Sequence, residues 1–408
     1  MLDIKSVKTG IEKQLSLSPN EVSIIELVDL LVEYGYIARA SDIHIEPAPD
    51  KVMVRFRIDG ILHDIFPLLK DLQSEVISRI KVLSGLKTDI HHIPQDGRFK
   101  AKIEAAEDID IRVSIAPTYY GENVVMRVLA ETVQIFNLED LGFTVAQLSQ
   151  LTKAIRKPYG MILANGPTGS GKTTTLYTAI KKLNSREVSI ITIEDPIEYS
   201  ISGITQMPVS VTAGLTFATG LRSILRQDPN IIMVGEIRDS ETANIAVNAA
   251  LTGHLVLSTL HTNDAATTFP RLIDMGVPPF LVASTINVII AQRLVRMVCP
   301  NCREERVLNL AELKSLSSVA KEQLTDKVYT AGKGCVQCDK TGYRGRIGIY
   351  EVLEVDDAVR PLIVGRADAS QIKQAALKNG MKTMIEDGFI KARKGITTIE
   401  EVLRIIYE

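Results

Sequence analysis

Gly166-Pro167-Thr168-Gly169-Ser170-Gly171-Lys172-Thr173 carries the spacing G-x-x-x-x-G-K-[ST] in full, a spacing that cradles phosphate. Glycines let the backbone wrap an anion without Cβ clashes, and N–H groups at a helix start present partial positive charge to it. Lys172 would reach the β and γ phosphates of ATP, and the Thr173 hydroxyl would ligate Mg²⁺, which keeps most of its octahedral shell in water and phosphate oxygens. The apolar Met161-Ile162-Leu163-Ala164 before the loop and the helical run 174–183 after it supply the strand–loop–helix context that a chance glycine-rich turn lacks. The phosphate-binding set therefore extends through Thr174.

The four cysteines fall in one late segment, as Cys299-Pro300-Asn301-Cys302 and Cys335-Val336-Gln337-Cys338, with 32 residues between the pairs. Two C-x-x-C knuckles suit tetrahedral Zn²⁺, and four thiolates fill its shell, which makes the site structural. A redox dithiol is the reading for one such pair alone.

Acids follow two further apolar runs. Residues 231–234 lead into Gly235-Glu236, and 188–193 lead into Glu194-Asp195-Pro196-Ile197-Glu198. Ligands in open parallel sheets sit beyond the carboxyl ends of strands, so these carboxylates are expected near Mg²⁺ and near a water aimed at the γ phosphate. The blander account is a helix start decorated with acids. His254 and His261 flank the run 255–260; one imidazole would sense the γ phosphate while the other satisfies a local hydrogen bond.

These groups need a scaffold. The 408 residues allow two or three domains, and 45% apolar beside 24% charged residues is ordinary globular composition. The formal charge of −2 gives no global drive toward nucleic acid or anionic lipid. No apolar run approaches the roughly 20 residues of a membrane span, and the start lacks the apolar core of a signal peptide. A cytoplasmic protein is expected, reaching any membrane only through a partner.

Helical spacing over 19–39, alternation through 41–59 closed by Asp59-Gly60, a helix over 69–86 and strands at 99–103, 109–115 and 123–129 describe a small α+β domain. From 160 onward short apolar strands alternate with helices, the pattern of a parallel sheet. Beyond 274 strand signals fade and helices are expected around the cysteine segment. Domains are thus placed at 1–132, a linker at 133–140, the ATPase core at 141–274 and the C-terminal region at 275–408, with the zinc insert at 296–346.

The phosphate loop, Ile193-Glu194-Asp195-Pro196-Ile197-Glu198, the Walker-B-like segment 232–239, and Thr252-Gly253-His254 through His261-Thr262-Asn263-Asp264-Ala265 stand in the order of the type II/IV secretion ATPase superfamily. Upstream, Ala40-Ser41-Asp42-Ile43-His44-Ile45-Glu46-Pro47, Arg55-Phe56-Arg57-Ile58-Asp59-Gly60 and Pro94-Gln95-Asp96-Gly97-Arg98 also resemble it. The resemblance implies an α/β fold, with a RecA-like P-loop domain preceded by a PAS-like domain and followed by a helical C-terminal region with a tetracysteine insert. It implies a homo-hexameric ATPase motor for type IV pilus assembly or type II secretion, acting through an inner-membrane platform protein to which it associates peripherally.

By the same resemblance Glu198 orients water, Glu236 is the Walker B acid, Glu194 and Asp195 lie at the nucleotide, and His261 or His254 senses the γ phosphate. Arg112 and Arg127, with Arg98 as a weaker third, neutralise a neighbour's phosphates; from the residues alone a salt-bridged strand surface is the simpler account. The tetracysteine insert points to assembly and export motors over retraction motors. The short stretch before residue 19 differs from assembly motors that carry a further N-terminal domain. The alternatives are a retraction or competence-pilus motor, a RecA-like nucleic-acid translocase, which the charge balance disfavours, and a scaffold that binds ATP without turning it over.

Overall fold

The structure is a computed structural model that describes residues 4–103, 109–129, 137–308 and 327–407. The chain divides into two compact units, Met1–Gln134 and Ile135–Glu408. The expected linker at 133–140 lies outside the described residues up to 136; its remainder enters a 3-10 turn at Leu138–Leu141.

In the first unit α1 (Ile4–Leu15) and α2 (Ile24–Ile37) precede β1 (Ala40–Pro47), β2 (Lys51–Ile58) and β3 (Ile61–Leu69). Then come α3 (Gln73–Leu83), β4 (Gln95–Ala101), β5 (Ile109–Thr118) and β6 (Gly121–Leu129). The strands form one sheet in the order β3-β2-β1-β6-β5-β4, each neighbour antiparallel. The helix expected from 19 begins at Ile24, where the Ser23 hydroxyl accepts from the Glu26 N–H; Pro19 to Glu21 form a separate 3-10 turn. Asp59 and Gly60 both take positive φ, 49° and 89°, as a two-residue hairpin requires. Alternation along the strands puts Ile43, Ile45, Val54, Phe56, Ile111 and Val124 in one core with Leu27, Leu31 and Ile80 of the helices, each large side chain worth roughly 1.5–3 kcal/mol of burial. The alternate positions, among them His44, Arg55, Arg112 and Arg127, fall on the opposite face. At Gly35 a Cβ would meet Ile43 Cδ1 at 2.7 Å, so α2 can lie this close to β1 only with glycine there.

The second unit opens with α4 (Val145–Ile155), β7 (Gly160–Asn165), α5 (Lys172–Leu183), β8 (Ile190–Glu194), β9 (Thr205–Pro208), α6 (Phe217–Ile224) and β10 (Ile231–Val234). It continues with α7 (Ser240–Leu251), β11 (Leu255–Leu260), α8 (Thr268–Asp274), α9 (Pro279–Thr285) and β12 (Ile286–Val298). The cysteine segment carries β13 (Glu304–Val307) and β14 (Lys327–Thr330), followed by β15 (Tyr343–Glu354), α10 (Arg360–Val364), α11 (Ala369–Lys378), α12 (Met384–Arg393) and α13 (Ile399–Tyr407). The main sheet runs β15-β12-β7-β11-β10-β8-β9. It is parallel from β12 through β9, and only β15 is antiparallel.

Helices cover both faces of this sheet, and β7 is buried throughout. Met161 and Leu163 enter one core while Ile162 and Ala164 enter the other, which is why such strands read as unbroken apolar runs. The same property explains why strand signals fade beyond 274, where helices were expected to dominate. The helices are there, but β12 and β15 add two long strands to the central sheet. The run Val288-Ile289-Ile290-Ala291 has no period that tells a buried strand from a buried helix. Among the described residues no helix is long and apolar enough to cross a membrane.

Candidate functional site

The parallel register brings the carboxyl ends of four strands to one edge: Leu260 pairs with Asn165, and Val234 with both Ser258 and Ile193. Gly166, His261, Gly235 and Glu194 therefore stand at or just beyond one edge.

Gly166 takes φ 146°, Gly169 77° and Gly171 85°. At Gly166 a Cβ would lie 2.5 Å from the Gln292 carbonyl oxygen and from Ser170 Oγ, so the turn excludes any side chain. Pro167, Thr168 and Gly169 form the exposed tip, and Thr173 and Thr174 lie half-buried on the first turn of α5. Lys172 Nζ donates to the carbonyl oxygens of Gly166 and Pro167 at 2.8 and 2.9 Å. Burial pulls this ammonium below its ordinary pKa, while Glu236 helps to keep it charged.

Gln292 on β12 is a support that the motif does not contain. Its Nε2 donates to the Ser170 carbonyl oxygen at 2.7 Å, and its Oε1 accepts from Thr175 Oγ1 at 2.9 Å. Glutamine has both a donor and an acceptor to join loop and helix. No local signal marks it, since it depends on β12 being the neighbour of β7.

Glu236 follows β10. Its Oε1 accepts from Arg238 Nη2 at 2.5 Å and its Oε2 lies 3.3 Å from His261 Nε2. Burial raises the Glu236 carboxyl, but Arg238 and His261 outweigh it, so the group sits below its ordinary value and is ionised at neutral pH. Asp195 is exposed, 3.8 Å from Arg238 Nη1.

Two residues expected at the nucleotide have partners within the protein. Glu194 is buried, and its oxygens accept from the Tyr177 hydroxyl, from Thr192 Oγ1 at 2.5 Å and from Gln206 Nε2 at 3.1 Å. These bonds occupy a carboxylate that would otherwise be free for a ligand. Burial, then Glu194, pushes the Tyr177 hydroxyl far above its ordinary pKa, and the Glu198 N–H reaches that same oxygen at 3.4 Å. The Tyr177 hydroxyl thus links the Glu194 carboxylate to the Glu198 backbone. His254 precedes β11 and lies beside Gly160, at the opposite sheet edge from the phosphate loop, where its Nδ1 is 3.0 Å from the Ala249 carbonyl oxygen. Of the two histidines, His261 stands at Glu236.

In the first unit the antiparallel register aligns Arg57, Asp42, Arg127, Arg112 and Arg98 on successive strands. Asp42 takes Arg127 Nε at 3.1 Å and Arg57 Nε at 3.6 Å. The row thus holds four arginines and one aspartate. Arg127 therefore has the expected salt bridge, yet its side chain remains 55% exposed.

The four cysteines are all unbridged, and their Sγ atoms lie within 4.8 Å of one another. The pairs 299/335, 302/338 and 335/338 are separated by 3.8, 3.7 and 3.8 Å. A tetrahedron of thiolates about 2.3 Å from zinc has edges of about 3.8 Å, whereas a disulfide needs about 2.05 Å. Backbone N–H groups of Cys335 and Gly342 donate to Cys338 Sγ at 3.1 and 3.3 Å, which favours its thiolate form.

A phosphate loop after a central parallel strand, with an ionised glutamate and a histidine at neighbouring strand ends, defines a P-loop nucleotide-hydrolysing enzyme. Residues 18–404 match the model of the type II/IV secretion system protein family, and the chain belongs to that family. It is 43% identical over 404 residues to the type IV pilus assembly ATPase PilB of Myxococcus xanthus, covering 98% of this chain and 71% of that one. It is 47% identical over 386 residues to type II secretion system protein E of Xanthomonas campestris, covering 95% and 68%. Among solved structures, the pilus retraction motor PilT with bound ADP is 25% identical, with TM-score 0.60 over 92% of this chain and 96% of that one.

Proposed function

We propose that the chain is an ATP-hydrolysing motor that drives type IV pilus assembly or type II secretion. The observation that carries the hydrolytic reading is Glu236, ionised between Arg238 and His261 at the strand end beside the phosphate loop. Lys172 binds the β and γ phosphates, and Thr173 and Glu236 hold Mg²⁺, which when bound neutralises charge developing on the phosphates. Glu198 orients the attacking water, and His261 senses the γ phosphate. Much higher identity to assembly and export ATPases than to PilT favours assembly over retraction. The cysteine cluster holds Zn²⁺ as a structural ion, the reading its sulfur spacing supports. The motor works in the cytoplasm as a homo-hexamer against an inner-membrane platform protein, and its first unit is the PAS-like domain of the family.

The test is Mg²⁺-dependent ATPase activity of size-fractionated protein. E236Q should bind ATP as the wild type does and lose about 10²–10³-fold in kcat, and a platform protein's cytoplasmic domain should raise wild-type turnover. Hydrolysis by E236Q at the wild-type rate would remove Glu236 from the chemistry.

The basic row of the first unit supplies Arg112 and Arg127 to a neighbouring subunit's nucleotide, where a planar guanidinium stabilises transition-state charge. R112A should lower kcat of the assembled oligomer about 10³-fold without changing the oligomer. Doping wild-type subunits into it should restore turnover. Full activity in a hexamer made only of R112A would sink the trans role.

A further inference from the structure

The segment 261–268, which carries His261, is held from two sides by residues that belong to neither the phosphate loop nor the acid cluster. From β7, Asn165 Nδ2 donates to Thr268 Oγ1, which also lies 3.4 Å from Thr262 Oγ1. From the C-terminal strand β15, Glu351 Oε1 accepts from the Ala265 N–H at 3.0 Å. Glu351 pairs across the sheet with Ala291, which pairs with Asn165, so both anchors stand level with the last residue before the phosphate loop.

Glu351 is 1% exposed, and burial raises its carboxyl above its ordinary value. Its counterion is Lys373 on α11, with Nζ 3.6 Å from Glu351 Oε2 and 3.0 Å from Asp264 Oδ2. Asp264 Oδ1 in turn accepts from the Thr267 N–H at 2.9 Å. One lysine thus spans two carboxylates, one fastened to Ala265 and the other to Thr267. Without that cation two carboxylates would face each other in a largely buried setting, which disfavours having both ionised.

We propose that Glu351 and Lys373 are positioning residues that set the 261–268 segment, and with it His261, against Glu236 at the nucleotide. The inference rests on the hydrolytic reading given above. It makes α11, far along the chain from every nucleotide motif, part of what determines turnover. Neither residue touches the substrate, so their loss should leave nucleotide affinity alone and slow the step that needs His261 in place.

The experiment is steady-state Mg²⁺-ATP hydrolysis by the full chain as its oligomer, comparing wild type, K373M, K373R and E351Q, with K172A as the inactive control. A displacement of about 1 Å in a catalytic group can cost about 10²-fold. K373M and E351Q should therefore lose about 10- to 100-fold in kcat at unchanged KM, and K373R, which still bridges both carboxylates, should recover most of it. Hydrogen exchange at 261–268 should quicken in K373M and not in K373R. Should K373M fail to fold, the near-isosteric E351Q carries the comparison. Unchanged kcat in the folded variants, or a rise in KM alone, overturns this inference while wild-type activity leaves the hydrolytic reading standing. A loss that K373R fails to recover reduces the triad to a stabilising cluster and also overturns it. A wild-type protein that hydrolyses no ATP overturns both.

Discussion

K172A loses ATP turnover by about 10³-fold or more and also weakens nucleotide binding, the largest effect on activity expected of any single replacement here. Lys172 is nine-tenths buried, and its ammonium is oriented by the Gly166 and Pro167 carbonyl oxygens. Water therefore screens it little, and a phosphate oxygen gains most of its attraction. Alanine removes the charge and leaves two carbonyl oxygens without their donor, a local cost of about 1–3 kcal/mol. The fold should survive, because β7 and α5 are held by the apolar cores on both sheet faces. Single-turnover hydrolysis, equilibrium binding of a fluorescent ATP analogue and thermal melting separate these effects. Wild-type turnover in K172A would exclude the loop from the chemistry.

Loss of the tetracysteine site carries the largest expected effect on stability. Cys299 follows the last residue of β12, and Cys338 lies five residues before β15 begins. The cluster thus ties the ends of the two strands that extend the P-loop sheet. Structural zinc contributes about 10–16 kcal/mol in small peptides. Other ties here, among them Arg296 to Glu401 at 2.6 Å and the Arg303 guanidinium over the Tyr329 ring at 4.7 Å, should retain part of the structure. Purified protein should hold one zinc per chain. C338S or chelation should remove it and lower the melting temperature by roughly 10 °C or more. Because β12 also carries Gln292, turnover should fall with it. One zinc per chain in C338S, or unchanged melting after the metal is stripped, would refute a structural metal.

The turn of the phosphate loop was legible because it is local. Glycine spacing, one lysine and one threonine act within a single turn, and their order follows from the chain itself. The cysteines were legible for the same reason, since each knuckle needs only four consecutive residues. Asp59-Gly60 likewise declared its hairpin through backbone conformation.

The amino-acid sequence by itself determined the family, the glycine-rich loop and the two cysteine pairs. Tertiary structure alone decided which residues of similar type share a place. His254 and His261 flank one strand, and only the parallel direction of β11 puts His261 at the phosphate-loop edge and His254 at the far edge. Glu194 ends β8 and Glu236 lies two residues beyond β10, yet Tyr177, Thr192 and Gln206 occupy the first, since α5 and β9 bring Tyr177 and Gln206 to it. β12 was hidden because a strand buried on both faces loses its alternation. Gln292 and the Glu351–Lys373 pair were hidden with it, since side chains more than a hundred residues from the loop come near it only when that sheet closes around β7.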